Sequence, residues 1–395
     1  MVFRWIFILV LLSTQIFNCQ KDDTPHIQNL INHAKKGSVI DGRDQIYYVT
    51  SLWLKSDIVL KNFVFRAIPT PESDVSVLCI GNDMKTNKYN KSKEAQAAFT
   101  ASQTFPGIQN IVLENIVIDG NRELQPALDI RDGGKHGISI KGFCNNITIK
   151  NVTAKNCVTD GIALYRGLHT VLDKGAEIFA IRNIYIDNFQ AVYNRRHGGS
   201  GDSIENFTCK NSRFENNGLN VSGKSSGAKP ALFNAKVYGN GWDMEGYGLG
   251  SAVRNITFDQ CTFINNASSG LLFYDVADSS DKNFIFRGVI KILNSTLDSG
   301  AQNPTGDFGL IFTSSIENKK NRQKLYDQVL ISNTTIMGKI LLRSVENVLL
   351  RDVHIITAEK THGLFDYADN ISYYFSKDKT TNTFNWEQYN GKNIQ

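Results

Sequence analysis

The stretch NITIKNVTAKN, residues 146–156, aligns without gaps with NFTCKNSRFEN at 206–216 and NITFDQCTFIN at 255–265. Looser copies begin at Asn110, Asn183, Gln328 and Asn347. In every copy apolar and polar residues alternate and β-branched side chains are frequent, which is the pattern of short strands with one buried face. One such unit cannot cover its own apolar row. Successive turns of chain can cover one another, so the repeat predicts a solenoid. Asn156, Asn216 and Asn265 recur where each strand must bend, and stacked amides there are expected to hydrogen-bond along the axis.

A second strand is expected after each bend, with copies starting at Gly137, Gly161, Gly198, Gly241, Gly270, Gly309 and Lys339. The residues one and three places on are Ile138/Ile140, Ile162/Leu164, Trp242/Met244, Leu271/Phe273, Leu310/Phe312 and Ile340/Leu342, an apolar set that must face the core. Gly199 and Gly201 interrupt it, which leaves that coil's register the least determined. Residues 24–34 read as a short amphipathic helix that would cover the first coil. The expected divisions are a leader over 1–18, a tether and cap over 19–44, the repeat over 45–365 and a second cap over 366–395.

At 395 residues, with 41% of them hydrophobic and only 7 prolines, the chain is long and apolar enough for an ordered fold with a large core. It opens with Arg4 ahead of the apolar run Trp5–Leu12, too short to span a bilayer and of the kind that directs secretion. Cys19 closes this segment. The following Gln20-Lys21-Asp22-Asp23 resembles the export signal of Bacteroidetes surface lipoproteins, which implies lipidation of Cys19 and display on the outer membrane; ordinary signal-peptidase cleavage is the alternative. The other five cysteines have no CxxC spacing and are read as buried apolar side chains, without a disulfide framework or zinc site. The net charge of +5 favours an anionic partner, while the lack of any basic run argues against nucleic acid. No protein partner is indicated.

Taken together, the repeats resemble the pectate-lyase-like superfamily of right-handed parallel β-helices over roughly residues 45 to 365. That resemblance implies an all-β solenoid and carbohydrate chemistry, although the fold carries lyases, hydrolases, epimerases and phage tailspikes. Strand phase assigns the outward residues. Burying Trp242 and Met244 turns Asp243 and Glu245 outward, and the same rows carry Lys141, Tyr165, Asp202 and Tyr274 in one line and Ser139, Ala163, Ser200 and Leu272 in the other. Adjacent coils lie about 4.8 Å apart, so Asp202, Asp243 and Glu245 should converge. A third column precedes the strands: His136, Asp160, His197, Asn240 and Ser269. Arg195 and Arg196 stand next to His197.

These residue types suit elimination at a uronate. Arg195 or Arg196 would neutralise the carboxylate, His197 or His136 would remove the proton, and Tyr165 or Tyr274 would protonate the leaving oxygen; loss of water in place of a sugar would make a dehydratase. Lys141, His136, Tyr274 and Asp160 are expected to bind substrate. The competing chemistry is inverting glycoside hydrolysis by Asp243, Glu245 and Asp202, and a non-catalytic glycan-binding β-helix is the alternative of another class. No organic cofactor is indicated; calcium on Asp160, Asp202, Asp243 and Glu245 is the one metal considered. Insertions at 166–180 and 221–238 are expected to wall the cleft.

Overall fold

A computed structural model describes residues 21–71, 76–81, 108–125, 134–142, 144–165, 181–202, 204–219, 239–247, 253–276, 288–300, 308–314, 326, 328–343, 345, 347–357, 363–366, 372–374 and 386–388. The expected leader, Cys19 and both expected insertions lie outside these residues. Among them the chain is a parallel β-helix in which two sheets, of sixteen and eleven strands, run the length of the stack. All but the last residue of the repeat unit at 146–156 lies within a single long strand, Cys144–Lys155, with Asn151 in the left-handed region near its middle. From residue 204 onward the equivalent stretch is split into two strands, as in Ile204–Lys210 followed by Arg213–Glu215.

The bends have a backbone signature. Asn110, Asn146, Asn151, Asn183, Asn188, Asn206, Asn211 and Asn255 all have φ between +50° and +58°, the left-handed region that asparagine tolerates better than other residues with a Cβ. Their side chains link coil to coil, for example Asn146 Nδ2 to Asn110 Oδ1 at 2.7 Å and Asn188 Nδ2 to Asn151 Oδ1 at 2.9 Å. The ladder expected at Asn156, Asn216 and Asn265 forms only between the last two. Tyr193 occupies the intervening left-handed position, and Asn156 bonds Asp119 instead. A buried ladder stands one residue further on. Asn194 Nδ2 donates to Asn217 Oδ1 at 3.0 Å, and Asn217 Nδ2 to Asn266 Oδ1 at 2.9 Å.

The eleven-stranded sheet carries the glycine-initiated strands in the expected register: Ile138, Ile162, Gly199, Trp242, Leu271, Leu310 and Ile340 stand side by side. Gly199 keeps this register without a side chain because its neighbour fills the gap. A Cβ there would collide with the Trp242 indole, which packs against Phe207, Phe214 and Phe258 at centroid distances of 5.1, 5.2 and 5.6 Å. The five described cysteines are free and buried.

Both ends differ from the expected boundaries. Ser38–Val49 already pairs with Ile58–Ala67, across a register shift between Asp41 and Gln45 that hides the alternation in the sequence. At the other end, Ser372–Tyr374 and Trp386–Gln388 still pair with the stack, in strands too short to show a period. The expected helix forms at Thr24–His33 and buries Ile27 and Ile31. Gln28 lies across the first strand of the smaller sheet, donating from Nε2 to Trp53 O at 2.9 Å and accepting from Trp53 N at 2.8 Å.

Gly199→Ala is therefore expected to lower stability by about 1–3 kcal/mol through overpacking against Trp242, read as a fall in the urea midpoint at unchanged m-value.

Candidate active site

The five residues that precede the strands of the smaller sheet form a continuous side-chain ladder. His136 Nδ1 lies 3.4 Å from the Asp160 backbone N–H. Asp160 Oδ1 accepts the N–H of His197 at 3.0 Å, His197 Nδ1 that of Asn240 at 3.1 Å, and Asn240 Oδ1 that of Ser269 at 3.1 Å. All five are buried. Sequence phase sets these groups beside an outward face and suggests exposure; their burial follows from the duty each performs, since a buried amide N–H needs an acceptor.

One cluster grows from Asp160. Arg196 grips it with Nε to Oδ1 at 2.7 Å and Nη2 to Oδ2 at 2.6 Å, while Ser200 Oγ donates to Oδ2 at 2.6 Å. Arg196 Nη2 also donates to the Tyr165 hydroxyl at 3.0 Å, and that hydroxyl lies 3.4 Å from His136 Nε2. Burial alone would raise the Asp160 carboxyl, but the Arg196 guanidinium outweighs it and holds the group well below the usual carboxylate range. Burial pushes the Tyr165 phenol up and the His136 imidazole down. This is a closed, bidentate, buried ion pair. Arg196, expected to hold a substrate carboxylate, faces Asp160 and Tyr165 here.

The second cluster surrounds Asp243, which is 4% exposed. Its Oδ2 lies 3.3 Å from His197 Nε2 and accepts from Asn240 Nδ2 at 3.2 Å. Its Oδ1 is buried and has no hydrogen-bond partner among the described residues. Burial, then the nearby Glu245 charge, raises the Asp243 carboxyl well above its ordinary range. His197 goes the other way: burial pushes it down to about 3, against the pull of Asp160. Geometry agrees, because Nδ1 accepts the Asn240 N–H and the single ring proton must sit on Nε2. The lone pair of the imidazole expected from the sequence to act as a base is thus engaged by the Asn240 N–H.

The remaining expected residues are distributed around these two clusters. Glu245 lies two residues beyond Asp243 on the same strand, opposite Tyr274. Asp202 follows Gly201, the register partner of Met244, and is buried in the Glu245 row; its own N–H donates to Leu164 O. Lys141 pairs in register with Tyr165. Arg195 is half-buried, and burial with the Arg122 and Arg196 charges pushes it down to about 10. The four acids considered for calcium do not gather: among the described residues no group of three or more His, Cys, Asp or Glu side chains is arranged to hold a metal ion. Ser200 and Asn240 carry no role in the reading of the sequence, although both stand in its columns; alignment locates them, but not their bonds to Asp160 and Asp243.

No protein-family model matches the chain, and no curated protein matches it in sequence. Solved structures do. The surface adhesin PfbA of Streptococcus pneumoniae superposes with a TM-score of 0.52 at 14% identity, over 93% of this chain and 89% of the adhesin. The pre-mature gene product 12 of bacteriophage phi29 gives 0.51 at 13% identity, over 98% of this chain and 57% of that protein. The family 28 exopolygalacturonase of Yersinia enterocolitica gives 0.42 at 14% identity, over 90% of this chain and 76% of the enzyme. The likeness to PfbA and to gene product 12, at this identity, reflects a shared fold.

Two stability measurements test the clusters. Arg196→Met strands a buried carboxylate and is expected to destabilise the fold by about 3–5 kcal/mol, read by urea unfolding. For His197, whose folded value of about 3 lies below its ordinary 6.5, the unfolded chain takes up a proton between those limits that the folded chain refuses. Stability is thus fully present above 6.5 and drains away as pH falls toward about 3. His197→Asn, which keeps an acceptor for the Asn240 N–H, should flatten that acid limb.

Proposed function

We propose that the chain is an extracellular carbohydrate-active enzyme that cleaves an acidic poly- or oligosaccharide, with Asp243 as general acid. One observation carries the reading: a buried carboxyl, raised well above its ordinary range, whose Oδ1 has no partner among the described residues, beside a second carboxyl on the same strand. Buried polar atoms are normally paired, and a strongly shifted carboxyl with an open oxygen marks a group kept for a reaction. A protonated acid beside Glu245 is the division of labour that glycoside hydrolysis requires. Two residues along a strand span roughly 6.6–6.8 Å, within the carboxyl separation of about 6.5–9.5 Å that suits inversion.

In this reading Asp243 gives its proton to the departing glycosidic oxygen as the C–O bond breaks. Glu245 takes a proton from the water that bonds to the anomeric carbon, and the products are a hemiacetal and an alcohol. The acidic substrate is inferred from the net charge of +5 and from Lys141 and Arg195 beside the clusters. Elimination at a uronate is less well supported, since Arg196 is bound to Asp160 and the His197 lone pair is occupied. Attachment to the outer membrane through a lipidated Cys19 belongs to the same proposal.

A non-catalytic glycan-binding β-helix is favoured by a different observation, the burial of the whole ladder, and by the fold shared with the adhesin PfbA. A panel of acidic glycans separates the readings. Hydrolysis releases reducing ends alone, elimination adds the absorbance of a conjugated uronate, and an adhesin binds without either. Asp243→Asn is expected to cut turnover by roughly 10²–10⁴-fold. The same variant should gain stability in alkali. The folded carboxyl keeps its proton above its ordinary 3.8, so stability present below that value is lost as pH rises through the raised one, and asparagine has nothing to lose. Unchanged turnover would reject Asp243 as the acid.

A further inference from the structure

The ladder residues differ in how many polar atoms they offer. Capping the next coil's amide takes one acceptor. Asp160 devotes its remaining oxygen to Arg196 and Ser200. His197 and Asn240 each retain a second atom of opposite character, because an imidazole and a carboxamide pair one acceptor with one donor. Once His197 Nδ1 has accepted the Asn240 N–H and Asn240 Oδ1 the Ser269 N–H, His197 Nε2 and Asn240 Nδ2 must both be donors. Asn240 Nδ2 donates to Asp243 Oδ2 at 3.2 Å, and His197 Nε2 lies 3.3 Å from the same atom.

The backbone of the next coil thereby determines which oxygen of a carboxyl carries its proton. An oxygen that accepts the Asn240 N–H, with the ring N–H of His197 beside it, is the carbonyl oxygen of the acid, and the hydroxyl is the other one. We infer that His197 and Asn240 are positioning residues that hold the acid proton of Asp243 on Oδ1, the oxygen with no acceptor among the described residues. A substrate oxygen meets the proton only by approaching Oδ1. The inference takes Asp243 as the acid, as proposed above, and adds how its proton is aimed.

Two substitutions alter the donors while preserving the ladder, each copying a residue type that already occupies the column or its buried neighbour. Asn240→Asp keeps an acceptor for the Ser269 N–H, as Asp160 does for His197, but replaces the donor facing Oδ2 with an acceptor that draws the proton away from Oδ1. His197→Asn keeps an acceptor for the Asn240 N–H and, being shorter, moves its remaining donor away from the Nε2 position that lies beside Oδ2. The full-length chain and these variants would be compared, with Asp243→Asn, on whichever acidic glycan the parent cleaves, and by infrared difference spectroscopy of the Asp243 carbonyl without any glycan.

Each positioning variant is expected to lower kcat by roughly 10-fold or more with little change in KM, and to lose less on a substrate whose aryl leaving group needs no proton. In the infrared, the Asp243 carbonyl band, assigned by its disappearance in Asp243→Asn, should move to higher frequency when the His197 donor is lost and shift again in Asn240→Asp. Loss of turnover in Asp243→Asn with full kcat in both positioning variants would overturn the inference and leave the acid assignment standing. Full turnover in Asp243→Asn would overturn both. If no glycan is cleaved, the infrared decides: an Asp243 band unmoved by either substitution overturns the inference, and a moved band supports it. Should Asn240→Asp fail to fold, His197→Asn gives the same decision.

Discussion

At the corners of the described coils, where no regular strand pairing is available, backbone amides are satisfied by side chains of a neighbouring coil. The site sheet meets this demand with a column of unlike residues: two histidines, an aspartate, an asparagine and a serine. Uniform chemistry would have sufficed for stability, as the Asn194–Asn217–Asn266 ladder demonstrates. The mixture brings titratable groups into the interior at stacked positions. Desolvation pushes His197 down and Asp243 up, while the Arg196 charge holds Asp160 low, so proton affinities are spread apart within neighbouring coils.

Large aromatic side chains hold those coils at fixed spacing. Trp242 occupies the volume that Gly199 leaves empty, so the strand bearing Asp243 is locked to the strand bearing Ser200 by shape as well as by hydrogen bonds. The two clusters are joined by the bond from the His197 amide to Asp160. A perturbation of the Arg196–Asp160 pair would consequently reach the ring that faces Asp243 through the backbone of its own residue.

The architecture was legible because period two is visible residue by residue, and because the copies at 146, 206 and 255 share their bend positions. Alignment also placed the columns correctly, down to the pairing of Ser139, Ala163, Ser200 and Asp243. What the alternation could not report was burial of the outward rows or the partner of each polar atom. Arg196 looked like an anion clamp because its sequence neighbours are Arg195 and His197; Asp160, which neutralises it, is 36 residues away. His197 looked like a base because imidazole commonly is one, whereas its Nδ1 is claimed by an amide 43 positions on. Long-range bonds of this kind leave no periodic trace.

Successive rungs of the ladder are separated in the chain by 24, 37, 43 and 29 residues, yet each makes the same contact with its neighbour. Coil length and coil chemistry are thus independent variables. The chain can gain or lose whole surface segments between rungs at little entropic cost, because closure entropy grows only logarithmically with length. A one-residue slip within a rung, by contrast, would turn a strand inside out. Relatives of such a protein can diverge widely in the length and composition of what leaves the stack while the polar column beneath is inherited intact, and a search for them is better guided by the order of residues in that column than by overall identity.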